Sequence, residues 1–194
     1  MITLEVGRRF LAASALSMLA LAGCASSPPV EYYALQPQRM QPRGAFVAAP
    51  LQIARVHLPP VLDRREIVRQ AAPFRIEMSD RHRWGAPLDE MIRRTLTEDL
   101  QEAMPPAEIV LPEEPAPPQT RKVVIDILRF SPDPQGKVRL EASWSIIAPG
   151  SGAAPKSGVV NTAVQMTSTG YSAQVDAMSR ALGKLADEIV LNAG

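Results

Sequence analysis

Few residues in this chain are equipped for chemistry. There is one cysteine, Cys24, and there are two histidines, His57 and His82. A lone thiol cannot close a disulfide within the chain. Cys24 ends the run Leu21-Ala22-Gly23-Cys24, which has the form of a lipobox, the signal that precedes a cysteine destined for lipid attachment. A Ser-His-acid site would need a serine on a sharp turn, and no nucleophile elbow is present. There is no Gly-rich phosphate loop, no His pair at metal spacing and no run of acidic ligands. The residues therefore nominate no catalytic group and no metal site. The only cofactor-like group they imply is a lipid bound covalently to Cys24.

The remaining polar clusters each admit a structural and a functional reading. Asp63-Arg64-Arg65 and Asp80-Arg81 are turn-like, and a solvated or salt-bridged loop is the simpler account. The alternative is a docking determinant built on Asp63 and Arg64. Trp84 is either a core plug or a ligand platform, with the plug favoured. Asp126 interrupts the apolar run Val123-Val124-Ile125-Asp126-Ile127-Leu128. It lies either on the outward face of an edge strand, which is the favoured reading, or in the core with a partner.

The segment before Cys24 explains the cysteine. Arg8 and Arg9 supply a positive start, Phe10 to Ala22 is apolar apart from Ser14 and Ser17, and small residues stand at the cut. These are the parts of a secretory signal. The run falls short of the ~20 apolar residues that span a bilayer. An uncleaved anchor helix, or an ordinary signal with a chance cysteine, is the alternative. Similarity to bacterial lipoproteins implies three acyl chains on Cys24. A single myristoyl chain, at about 0.8 kcal/mol per buried methylene, anchors only marginally, so three should hold permanently. Ala25 and Ser26 follow the cysteine. In Gram-negative lipoproteins an Asp directly after it commonly retains the protein at the inner membrane, so its absence favours the outer membrane, facing the periplasm.

The expected organisation is a leader (1–23), a lipidated, Pro-rich tether (24–50) and one domain (51–194). Removing Arg8, Arg9 and Glu5 with the leader, from 21 basic and 20 acidic residues, leaves a formally neutral mature chain. Nothing in that balance points to nucleic acid. Prolines punctuate 25–50 and suit a semi-rigid spacer. Within it Tyr32-Tyr33-Ala34-Leu35 reads equally as a short docking strand or as incidental aromatics.

Downstream, periodicity sets the elements. Leu51–Leu58 reads as a buried strand ended by Pro59-Pro60, and Val61–Val68 as a turn and a short strand. Phe74, Ile76 and Met78 alternate with charge, predicting a half-buried strand hairpinned to its predecessor. Pro87 suits the first position of a helix whose stripe is Leu88, Met91, Ile92, Leu96, Leu100 and Ala103. Asp89 with Arg93, and Glu90 with Arg94, should pair outward. A short strand is expected around 108–111, and Val123–Phe130 reads as a strand buried on both faces. Val138–Ile146 alternates strictly, and a further strand covers Val159–Thr167. A last helix spans about Ser172–Leu191, with Gly183 permitting close approach to the sheet. The sum is one α+β (mixed α/β) domain. It should have a mixed, mostly antiparallel sheet of about five to seven strands with two main helices packed on it.

The run Leu58-Pro59-Pro60-Val61-Leu62-Asp63-Arg64-Arg65-Glu66-Ile67-Val68, followed by Arg83-Trp84-Gly85-Ala86-Pro87-Leu88, resembles the ABC-type transport auxiliary lipoprotein family, of the PqiC/YmbA type. Tyr32-Tyr33-Ala34-Leu35 and a last helix opening at Tyr171 fit the same pattern. Gly85-Ala86 departs from it, standing where Ala-Glu often follows the tryptophan. The resemblance implies a fold like the TolB amino-terminal domain. It also implies a non-enzymatic, outer-membrane lipoprotein serving an MCE-type lipid transport system. Its partners would be an MCE-domain protein of the inner membrane, the membrane itself through the lipid anchor, and sibling subunits of a homo-oligomer. A lipoprotein assembly factor for lipopolysaccharide or outer-membrane proteins is the alternative, and a periplasmic hydrolase the third.

Overall fold

The computed structural model describes residues 28–42, 49–104, 109–150 and 152–193. Leu21, Ala22, Gly23 and Cys24 lie outside them. Among the described residues seven strands and two helices follow in order: β1 (Glu31–Tyr33), β2 (Leu51–His57), β3 (Glu66–Ala72), β4 (Arg75–Trp84), α1 (Leu88–Ala103), β5 (Arg121–Pro132), β6 (Lys137–Ile147), β7 (Lys156–Gln165) and α2 (Tyr171–Ala193). The architecture is α+β in a single domain, as the periodicity predicts. The strands, however, divide into two sheets. One has the order β1-β4-β3 and the other β2-β5-β6-β7.

Both sheets are mixed. β1 runs parallel to β4 and β2 parallel to β5, while β3–β4, β5–β6 and β6–β7 are antiparallel. The β5–β6 hairpin turns on Asp133. Its carboxylate accepts the amides of Gln135 (3.0 Å) and Lys137 (2.9 Å), and Gly136 takes the left-handed conformation (φ 74°) that such a turn requires. Burial pushes this carboxyl up, but the Lys137 amide, the Arg139 guanidinium at 2.8 Å and the Gln135 amide outweigh it. They hold Asp133 below the ordinary carboxylate range.

The core lies between the four-stranded sheet and the helices. Alternate residues of β6, Val138, Leu140, Ala142, Trp144 and Ile146, all point into it. Ile92, Leu96 and Leu100 from α1 meet Met178, Leu182, Leu185 and Ile189 from α2, each essentially inaccessible to water. Trp144 lies over Gly158 of β7, where an added Cβ would stand 2.6 Å from the indole.

Several sequence expectations are corrected. β5 is buried on one face only: Val123, Ile125, Ile127 and Phe130 point inward, while Asp126 and Leu128 are exposed. Asp126 does face outward, but from an inner strand, and His57 of β2 bonds it at 2.6 Å. Phe74, Ile76 and Met78 are exposed rather than half-buried, because among the described residues no helix or further strand packs on that face, and only the Arg64 side chain reaches Met78. Pro87 is the helix cap, with Leu88 the first helical residue. Arg94 reaches Glu113 at 3.9 Å rather than pairing along its own helix with Glu90. Around 108–111 the described residues hold a single bridge, Ile109 to Leu51.

Candidate docking site

The segments that carry the sequence pattern meet in space. Pro59 opens a tight turn in which its carbonyl accepts the amides of Leu62 (2.8 Å) and Asp63 (3.2 Å). Leu62 is thereby turned into the core, and Asp63 is left exposed at the surface. Arg64 is partly covered, its guanidinium lying against the sulfur of Met78 and the carbonyl of Pro60. The Arg65 carbonyl then accepts the amide of Trp84 (2.8 Å), and the Tyr33 carbonyl accepts that of Gly85 (2.9 Å). Trp84 is buried where β4 gives way to α1, so it is the core plug rather than a platform. Leu88 is buried one turn later, and Arg83 is partly covered on the opposite face of β4.

Beside this junction stands an aromatic cluster that sequence reasoning missed. The ring of His82 stacks on Tyr171 at 3.9 Å, and the guanidinium of Arg69 caps that tyrosine at 3.6 Å. Tyr33 donates its hydroxyl to Glu31 (2.7 Å) and stands 2.9 Å from Nδ1 of His82, which donates to it in the tautomer that serves both. Burial, then the bond and charge of Glu31, raise the Tyr33 phenol above its ordinary value. Arg69 also donates to the side chain of Gln174 at 2.6 Å and to the Thr169 carbonyl at 2.9 Å. Gln174, wholly buried in α2, returns a bond to the Val68 carbonyl. β1, β3, β4 and α2 are thus tied at one point. No spacing rule could have found this cluster, since its members come from distant parts of the chain.

From the same point the extended stretch 34–40 runs along the groove between the helices. Its alternate amides face them. Gln36 donates to Ser179 (3.1 Å), Gln38 to Asp99 (2.6 Å) and Met40 to Glu102 (3.1 Å). Pro37, which has no amide proton, falls at the intervening position. Leu35 is buried, and Gly183 of α2 lies under Gln38, where a Cβ would come within 3.1 Å of its side chain. Gly183 therefore serves the approach of this strap, not of the sheet. Of the two readings of Tyr32–Leu35, the structure shows the docked strand.

Among the described residues no group of three His, Cys, Asp or Glu side chains is arranged to hold a metal ion. The His57–Asp126 pair does not extend to a nucleophile. Asp126 pairs in register with His57 on one side and Ser143 on the other, so the acid, not the base, lies between them. Two clefts flank the β3–β4 hairpin. One, of about 610 Å³, has a lining of mixed polarity that includes Arg69, Arg75, Asp133 and Met166. The other, of about 320 Å³, is lined by Val61, Leu62, Val68, Phe74 and Ile76. No described helix is long and apolar enough to cross a membrane.

A family model described as the ABC-type transport auxiliary lipoprotein component matches residues 33–190, from β1 almost to the end of α2. The chain belongs to that family. No curated protein matches the sequence. Among solved structures, one titled an uncharacterized protein superposes with a TM-score of 0.72 at 17% identity, over 86% of this chain and all of that one. A Xanthomonas campestris protein of the DUF330 family gives 0.62 at 19% identity, over 82% and 92%. At such identities these two likenesses speak for the fold alone. The protein is thus an auxiliary lipoprotein component of ABC-type transport, of a family anchored to membranes by lipid.

Proposed function

We propose that this lipoprotein is a non-enzymatic subunit of an MCE/ABC-type intermembrane lipid transport system. It would be anchored in the outer membrane through acyl chains on Cys24 and would hold the periplasmic conduit there. The carrying observation is the family match over residues 33–190. The strap supports the reading. The chain that follows Cys24 is fixed from Glu31 to Met40 against β4 and both helices, so force on the anchor passes into the core. The exposed turn at Asp63, with Arg64 beside it, is the proposed contact for the MCE-domain protein of the inner membrane or for sibling subunits. Among the described strands β7 is an edge of its sheet, a place where such contacts can extend.

Fractionation and partner capture test this. The wild type should sediment with outer membrane and retain an MCE-domain protein on pull-down, and Cys24→Ala should remain soluble or stay a precursor. Outer-membrane recovery of Cys24→Ala, or wild-type capture without any MCE-domain protein, would overturn the reading.

A further inference from the structure

The β3–β4 hairpin ends in a two-residue turn, Pro73-Phe74, whose aromatic ring is fully exposed. Turn tips in water favour Gly, Asn, Asp and Pro, whose backbone preferences or short polar side chains suit them, and a bare Phe gains nothing there. Ile76 and Met78, the latter with Arg64 against its sulfur, continue the exposed apolar surface along one face of β4. Arg75 beside the tip and Arg81 further up are exposed cations, and the exposed acids Glu77 and Asp80 lie between them. The tip itself joins an exposed aromatic ring, which can enter the acyl boundary, to a cation at Arg75, which can meet anionic headgroups.

The course of the chain says which surface covers it. β1 is parallel to β4, with Glu31 opposite His82 and Tyr33 opposite Trp84. The chain preceding Glu31 therefore leaves toward the end of β4 that carries Phe74. Cys24 is seven residue steps from Glu31, and Arg75 is seven from His82. Fully extended, the first stretch reaches about 25 Å. The second, as strand, covers about 23 Å. The lipid-bearing residue cannot lie much farther from β1 than the hairpin tip does, and the two can stand level.

We propose that the β3–β4 hairpin is a second membrane contact, with Phe74, Ile76 and Met78 entering the leaflet that holds the acyl chains of Cys24. The proposal rests on the anchoring reading above. Together the two contacts would fix the orientation of the domain, which a single point of attachment leaves free to rotate.

The test uses the full lipidated chain in phosphatidylethanolamine–phosphatidylglycerol vesicles. Acylation consumes the only native thiol, so Phe74→Cys supplies a unique site for a nitroxide label. Leu128→Cys, exposed on the outer face of the four-stranded sheet, is the control. The label at 74 should relax with dissolved oxygen and lose its response to a water-soluble nickel chelate, while the label at 128 should keep that response. Equal response to the chelate at both sites, on protein shown by mass spectrometry to be acylated, overturns the hairpin contact and leaves the anchor standing. Protein that carries no acyl chain overturns the anchor and this proposal with it.

Discussion

Asp99 should make the domain lose stability as pH rises toward neutrality. It is fully buried in α1. Its Oδ1 accepts the Gln38 amide at 2.6 Å, and its Oδ2 has no partner. Burial pushes the carboxyl from 3.8 up to about 7, the Gln38 amide pulls the other way, and the charges of Glu102, Glu98 and Asp187 add to the rise. In the unfolded chain the proton leaves near pH 3.8, and in the folded one only near 7. Between these values the unfolded state holds fewer protons, so raising the pH favours unfolding. At about 1.36 kcal/mol per pH unit, the span amounts to a loss of about 4 kcal/mol, largely complete by about pH 7. Urea unfolding of the wild type and Asp99→Asn, side by side from about pH 4 to 8, isolates the effect. Asn keeps an oxygen for Gln38 but cannot ionise. Its amide nitrogen would stand where Oδ2 lacks a partner, a cost of about 1–3 kcal/mol that is the same at every pH. The stability of the wild type relative to the variant should therefore fall steadily across this window. A difference that stays flat, or grows with pH, refutes the reasoning. Asp133 acts elsewhere and with the opposite sign. Its depressed carboxyl contributes stability above about pH 4 that is lost on further acidification, in both proteins alike.

Other outcomes follow from the packing. Trp84→Ala should cost about 3–5 kcal/mol, as for a buried aromatic, whereas Asp63→Ala should leave the melting temperature nearly unchanged. Early melting of the Asp63 variant with a stable Trp84 variant would reverse those roles. Leu182→Ala and Leu185→Ala should each destabilise by about 2–5 kcal/mol, measured as a lower denaturation midpoint. Gly183→Val should dislodge the strap more than the core, so limited proteolysis should cut within 34–40 while far-UV circular dichroism stays near that of the wild type. Protection of 34–40 in that variant would show that the strap tolerates the added volume.

What the sequence determined alone is whatever depends on one-sided burial within an element. The stripe from Leu88 to Ala103 specified α1, the three-and-four spacing from Val175 to Ile189 specified α2, and strict alternation specified β6. The period is written locally, because a helix or strand must sort its own residues between water and core. The lipobox is local as well. Tertiary structure decided everything that depends on what arrives from elsewhere. Alternation along β4 marks Ile76 and Met78 as one face, yet it is exposed because no helix or further strand among the described residues packs on it. Asp99 falls inside the apolar stripe of its own helix, three residues after Leu96 and four before Ala103, but its partner comes from a strap 61 residues earlier in the chain. His57 and Asp126, 69 residues apart, become partners only through the parallel pairing of β2 with β5. Gly183 was legible as a site of close approach, but what approaches is Gln38, 145 residues away in sequence. Such contacts are chosen by the packing of the whole chain, which no local period encodes.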